Sequence, residues 1–88
     1  IMIRFRVKNS KFHRKVASSG EINYSVKAID SKIIKTFPNV AGLYIVRLQG
    51  KYDMKSALAK LDNFAFVIYA QDLSHYKTVP AWALQFSE

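Results

Sequence analysis

The chain has 88 residues and no cysteine, a length that fits one domain with a thin core and a composition that excludes disulfides and thiolate metal sites. Half of the residues are hydrophobic and 14% are aromatic, which favours a folded domain over a disordered basic tail. The net charge of +8 belongs to the first part: residues 1–51 hold eleven Lys and Arg against two acids, whereas residues 52–88 hold three against four. Such a concentration of cations favours a polyanionic partner.

The first three segments predict two strands joined by a loop. Residues 1–8 alternate between apolar side chains and a face with Arg4, Arg6 and Lys8, the pattern of a half-buried strand. Residues 9–20 are polar and basic, which predicts a long loop. Residues 21–28 alternate again and predict a second strand.

The rest of the chain predicts two helices and three strands. Asp30 and Ser31 form a helix N-cap pattern, followed by a short helix that ends at Pro38. Then come a strand over 42–48, an amphipathic helix over 54–61 capped by Asp53, a buried central strand over 64–70 and an edge strand over 79–86. The order β-β-α-β-α-β-β predicts a single α+β domain over residues 1–88, with a mixed, mostly antiparallel sheet and two short helices packed on one face.

The candidate functional surface is a cluster of cations near the start of the chain. The first twenty residues hold six cations and no acid, more than solubility requires, although a plain solvated basic face is the alternative. Closely spaced cations bind successive phosphates, and nearby rings stack on unpaired bases, which favours single-stranded RNA or DNA over a duplex. The predicted nucleic-acid-binding residues are Arg4, Arg6, Lys8, Lys11, His13, Arg14, Lys15, Tyr44, Arg47 and Lys51.

Two histidines raise the alternative of a small endoribonuclease of the toxin type. His13 or His75 would transfer protons, with Tyr76 next to His75 in the sequence and a basic clamp on the phosphate. The spacing does not place the two histidines together, so a protein that is not an enzyme is the preferred interpretation. The sequence has no metal-ligand spacing and no phosphate-binding glycine loop, so we expect no cofactor and no metal.

The aromatic residues near the C-terminal end have two interpretations. Trp82 and Phe86, like Tyr69 and Tyr76, are expected in the core, because a chain this short has few other large side chains. If Trp82 or Phe86 is exposed instead, it would anchor a protein partner. A further hypothesis is therefore a pure protein–protein inhibitor whose basic face meets an acidic surface on an enzyme.

The chain as a whole is short, basic, free of cysteine and rich in Lys, Ile, Phe, Tyr and Asn. In this it resembles the small early proteins of large bacteriophages that block host toxin–antitoxin and other defence systems. The resemblance implies an inhibitor of a host toxin ribonuclease that engages RNA and a protein partner in the host cytoplasm. No apolar run approaches the length of a membrane span, so the sequence predicts a soluble protein without membrane contact.

Overall fold

The computed structural model describes residues 1–7, 15–74 and 76–85. These residues form four strands and three helices, which confirm the predicted α+β class. In chain order they are β1 (Met2–Phe5), α1 (Ser19–Ala28), β2 (Ser31–Thr36), β3 (Leu43–Leu48), α2 (Met54–Asp62), β4 (Val67–Gln71) and α3 (Ala81–Gln85).

The four strands form one sheet in the order β2-β3-β1-β4, and every neighbouring pair is antiparallel. The first strand of the chain therefore lies in the middle of the sheet, and β2 and β4 form its two edges. The units β1-α1-β2 and β3-α2-β4 interleave, which is the split β-α-β arrangement. Within the described ranges the sheet has no parallel pair, so the expectation of a mixed sheet is corrected to an antiparallel one.

Residues 21–28 were expected to form a strand, and they belong instead to helix α1. The Ser18 side chain accepts a hydrogen bond from the Glu21 backbone N–H, and the Glu21 carboxylate accepts one from the Ser18 N–H. This capping box satisfies two N–H groups that a helix start leaves unpaired. The buried residues Ile22 and Val26 are four positions apart, so the helical period, not the alternation, decides which side chains enter the core. The expected loop over 9–20 therefore ends before Ser19, and its residues 9–14 lie outside the described residues.

The segment after Asp30 was expected to be a helix and is the edge strand β2. Asp30 has a positive φ of 49°, so it turns the chain out of α1 and does not cap a new helix. Its backbone carbonyl accepts a hydrogen bond from Gln49, and the Ser31 hydroxyl donates one to the Val26 carbonyl at 2.8 Å. These bonds tie the start of β2 to the end of β3 and to α1.

Four of the predicted elements are confirmed by the structure, with shifts at their ends. The strand predicted over 1–8 is β1, which spans Met2–Phe5. Strand β3 matches the prediction over 42–48, and α2 begins after its N-cap Asp53, whose carboxylate accepts a bond from the Ser56 N–H at 2.7 Å. The predicted strand over 64–70 is realised as β4. It is an edge strand of the sheet, so its expected central position is corrected.

The last predicted strand, over 79–86, is also corrected. Residues Ala81–Gln85 form the short helix α3, which begins directly after Pro80. The Pro80 carbonyl accepts a bond from the Ala83 N–H at 3.1 Å. Proline favours the first turn of a helix because it has no N–H to leave unpaired there, and the Ala, Leu and Gln that follow are good helix formers.

The main core lies between the sheet and the helices α1 and α2. The face of the sheet that points to these helices is called the inner face. Its side chains from β1 and β3 pack against one side of each helix. The buried members of this core are Ile1, Ile3, Phe5, Ala17, Ile22, Val26, Ile29, Val46, Ala57, Leu61 and Phe66. A second, smaller core lies on the opposite side of the sheet, where Met2 and Leu43 pack against Ala83 of α3.

Candidate docking surface

The candidate site is the face of the sheet that points away from α1 and α2, which we call the outer face. The strand register fixes its members, because residues paired across an antiparallel ladder lie on the same face. Met2 pairs with Ile45 and with Gln71, Arg4 with Leu43 and Tyr69, Lys32 with Arg47, and Lys35 with Ile45. The outer face thus consists of Met2, Arg4, Lys32, Lys35, Leu43, Ile45, Arg47, Tyr69 and Gln71.

All charge that the four strands carry is positive and lies on this face. None of the strands contains an acidic residue, and their four cations, Arg4, Lys32, Lys35 and Arg47, are all members of the outer face. Lys32 lies directly opposite Arg47 in the ladder. Like charges in opposite positions destabilise a strand pair, so this pairing costs free energy that a bound anion would offset.

The half of the outer face formed by β2 and β3 is open to solvent. Lys32, Lys35 and Arg47 are exposed, and Ile45 lies among them at intermediate burial. In the same edge strand, 53% of the Ile34 surface is exposed. Strand β2 thus offers a binding partner both cations and aliphatic surface.

The other half of the outer face is covered by α3. Ala83 is fully buried, and the Trp82 ring packs on the Tyr69 ring with 5.3 Å between their centroids. Burial raises the pKa of Tyr69, and the nearby Arg4 charge partly opposes this shift. Trp82 nevertheless keeps 44% of its surface exposed, so the expectation that it belongs to the core is wrong.

Arg6 was expected in a solvent-facing row of cations, and it is buried. The register of β1 against β4 shifts between Arg4 and Phe5, and the strand ends there, so the alternation stops before Arg6. Its side chain is 5% exposed, and its guanidinium donates a hydrogen bond to the Ala65 carbonyl at 2.7 Å. Arg6 therefore holds the segment before β4 and is not on an exposed binding surface.

Lys15 and Tyr44 also lie apart from the outer face. The Lys15 ammonium forms an ion pair with Glu21 at 2.9 Å, which lowers the pKa of that carboxyl. Tyr44 lies on the inner face, with its ring edge-on to Phe5 at 5.7 Å between centroids. A ring in that position is part of the main core, so the structure does not support its predicted stacking on bases.

Lys51 precedes α2 and is exposed, with its ammonium 5.7 Å from the Tyr52 ring centroid. Of the predicted binding residues that the structure describes, only Arg4 and Arg47 therefore share one sheet face. Lys8, Lys11, His13 and Arg14 lie outside the described residues, as do His75 and Phe86, so no relation between the two histidines is described.

Lys32 and Lys35 were not among the predicted binding residues, because β2 was predicted as a helix. They are the cations that make the open half of the outer face basic. The signal that could have found them is the β-branched composition of residues 31–36, which favours a strand over a helix.

Two further findings concern other classes of site. In the ranges 1–7, 15–74 and 76–85, no three His, Asp or Glu side chains are grouped so that they could hold a metal ion. No helix among the same residues is long and apolar enough to cross a membrane.

No protein-family model matches this chain, and searches among curated proteins and among solved structures found no significant match.

Proposed function

We propose that this protein is a binding domain without catalytic activity that docks the open half of its outer face on an acidic, partly apolar surface of a partner protein and blocks that surface. The observation that carries the proposal is the segregation of strand charge. Every charged strand residue is a cation on this one face, and Lys32 and Arg47 stand opposite each other without a strand carboxylate to balance them.

The mixture of chemistry on this face favours a protein over a nucleic acid. Tracking of a phosphate backbone needs a row of successive exposed cations. Of the predicted row, Arg6 is buried and Lys15 is paired with Glu21. The exposed cations of β2 and β3 instead lie around Ile45, which is on the same face at intermediate burial. Aliphatic surface beside fixed charges is typical of a protein interface, in which charges steer association and apolar contacts stabilise the complex.

A second copy of the chain would be a poor occupant of the same face. Two such faces would bring Lys32, Lys35 and Arg47 of each copy against one another, and like charges across an interface cost several kcal/mol. Complementarity of charge therefore points to a partner rich in Asp and Glu.

The test compares two double variants with equal change in net charge. Lys32→Glu with Arg47→Glu reverses the outer face, whereas Lys27→Glu with Lys55→Glu reverses exposed positions on α1 and α2. The wild-type protein is used to isolate a partner from nuclease-treated extract, and the identified partner is then purified for affinity measurements. We expect the outer-face variant to bind at least about tenfold more weakly and the helix variant to bind within about threefold of wild type.

Three outcomes would overturn the proposal. They are loss of the complex on nuclease treatment, equal weakening by the two double variants, and no weakening by the outer-face variant. The first outcome would favour RNA, the partner that charge alone predicts. If the purified partner is a ribonuclease, as the phage-protein resemblance implies, adding the wild-type protein is expected to block RNA cleavage, and the outer-face variant is expected to leave cleavage intact.

A further inference from the structure

A groove of about 420 Å³ adjoins the open half of the outer face. One side of the groove belongs to β2 and β3, and the other side belongs to the segment between β4 and the end of α3. Its volume lies in the roughly 300–1,000 Å³ range of sites that bury most of a small ligand. We call it the C-terminal groove, and its lining includes Lys35, Phe37, Ile45, Lys77 and Leu84.

The lining of the C-terminal groove combines apolar walls with two cations. Ile45 and Leu84 contribute aliphatic surface from its two sides, and 42% of the Leu84 surface is exposed. The Lys35 ammonium lies 5.2 Å from the centroid of the Phe37 ring, a cation–π distance that keeps the charge beside the apolar wall. Lys77 is an exposed cation on the opposite side. Among the described residues that line the groove, none is acidic.

The groove and the outer face share two residues, Lys35 and Ile45, so one partner can contact both. We propose that the C-terminal groove is the anchor site of this interface and receives a bulky apolar side chain, of the Leu or Phe class, flanked by carboxylates in the partner chain. This inference rests on the proposed function and names the recognition element of the partner. Burial of one large side chain in a pocket contributes most where water is excluded, and lysines on both sides select carboxylates beside it.

The probe is a short synthetic peptide with Leu and Phe at its centre and glutamates on both sides, labelled with a fluorophore. Two matched peptides replace the glutamates with lysines or the central pair with alanines. Binding to the wild-type protein is measured by fluorescence anisotropy. We expect saturable binding of the first peptide and at least about tenfold weaker binding of the other two, because each lacks one of the two features that the groove offers.

Variants locate that binding on the protein. Leu84→Ser removes exposed apolar surface from the groove and Lys77→Glu reverses its charge, and each is expected to weaken the first peptide at least about fivefold. The matched control is Tyr24→Ser on α1, which removes a side chain that is 63% exposed on the opposite side of the molecule and is expected to leave peptide affinity unchanged. Circular dichroism verifies that each variant is folded. If Leu84→Ser does not fold, the result with Lys77→Glu decides the outcome.

Equal binding of the three peptides, or unchanged affinity in both groove variants, would overturn the anchor proposal. Failure of the peptide test would leave the proposed function standing, provided that the purified partner still responds to Lys32→Glu with Arg47→Glu. Conversely, a partner that is lost on nuclease treatment would reject the proposed function, whatever the peptides do.

Discussion

The guanidinium of Arg6 donates a hydrogen bond to the carbonyl oxygen of Ala65, 59 positions later in the chain, at 2.7 Å. A buried arginine is expensive to desolvate, so its retention depends on such partners. The bond joins the end of β1 to the segment that leads into β4. It assigns a structural role to a cation that the alternation of residues 1–8 would have directed to solvent.

We expect Arg6→Ala to destabilise the protein by about 2–4 kcal/mol, because it removes a charge-assisted hydrogen bond and the packing of the side-chain stem. Urea unfolding followed by circular dichroism gives the change in the free energy of unfolding. Arg47→Ala, at an exposed position of the outer face, is the matched control and should stay within about 0.5 kcal/mol of wild type. Equal stabilities of the two variants would contradict the assigned role of Arg6.

Replacing Gly42 or Gly20 by alanine is expected to change the stability of the protein in opposite directions. Gly42 has a φ of +83°, and a Cβ added there would overlap the carbonyl oxygen of Phe5. The two residues are held close together because the Phe5 backbone N–H donates a hydrogen bond to the Gly42 carbonyl at 2.7 Å. We expect Gly42→Ala to cost at least about 1–3 kcal/mol. Gly20 lies inside α1 with no neighbour closer than the Ser18 hydroxyl at 3.9 Å, so Gly20→Ala should stabilise the protein by about 0.5–1 kcal/mol. Melting temperatures that move in the same direction would refute this assignment.

Acid should weaken the start of α2. The hydrogen bond from the Ser56 backbone N–H lowers the pKa of the Asp53 carboxyl. The ionised carboxylate therefore stabilises the fold at pH values above the ordinary aspartate pKa of about 3.9. This stabilisation is lost as the pH falls through the lowered pKa of the folded protein. Asparagine caps a helix but does not titrate. We therefore expect Asp53→Asn to lose less stability than wild type between about pH 7 and pH 2 in urea unfolding. Parallel losses in the two proteins would argue against a titrating cap at this position.

The short helix α3 should come off the sheet before the main core unfolds. It is held by Ala83, which is fully buried against Met2 and Leu43, whereas the principal core lies on the other side of the sheet. A carboxylate at this buried position is costly, so Ala83→Asp is expected to release α3. The emission of the single tryptophan, Trp82, should then shift to longer wavelength while the circular dichroism of α1 and α2 persists. Gln85→Asp, at an exposed position, should leave the emission unchanged.

The fold class could be predicted because the composition and the pattern of α2 were unambiguous. The segment of α1 was predicted as a strand and the segment of β2 as a helix, and this error has a physical reason. Over only eight residues, Ile22 and Val26 satisfy both an alternating and a helical pattern, and short segments leave that choice to tertiary packing. The capping box of Ser18 and Glu21 was a helix signal in the sequence that the alternation obscured.

The candidate site was only partly predictable, because which face a strand residue occupies depends on register and on where the strand ends. The sequence indicated that Arg4 and Arg47 carry function, but it could not show that Arg6 falls beyond the register shift of β1. It also could not show that Lys32 stands opposite Arg47, a relation between two strands that only the ladder establishes. The sequence is sufficient to count the cations, whereas their arrangement on one face of the sheet depends on the topology.

The central position of β1 has a consequence for how the molecule is made. Met2 pairs with Gln71, so the middle of the sheet joins residues 69 positions apart. Closing such a large loop costs entropy before any contact rewards it, and non-local pairing slows folding. On a ribosome, β1 stays unpaired on its β4 side until Gln71 has emerged.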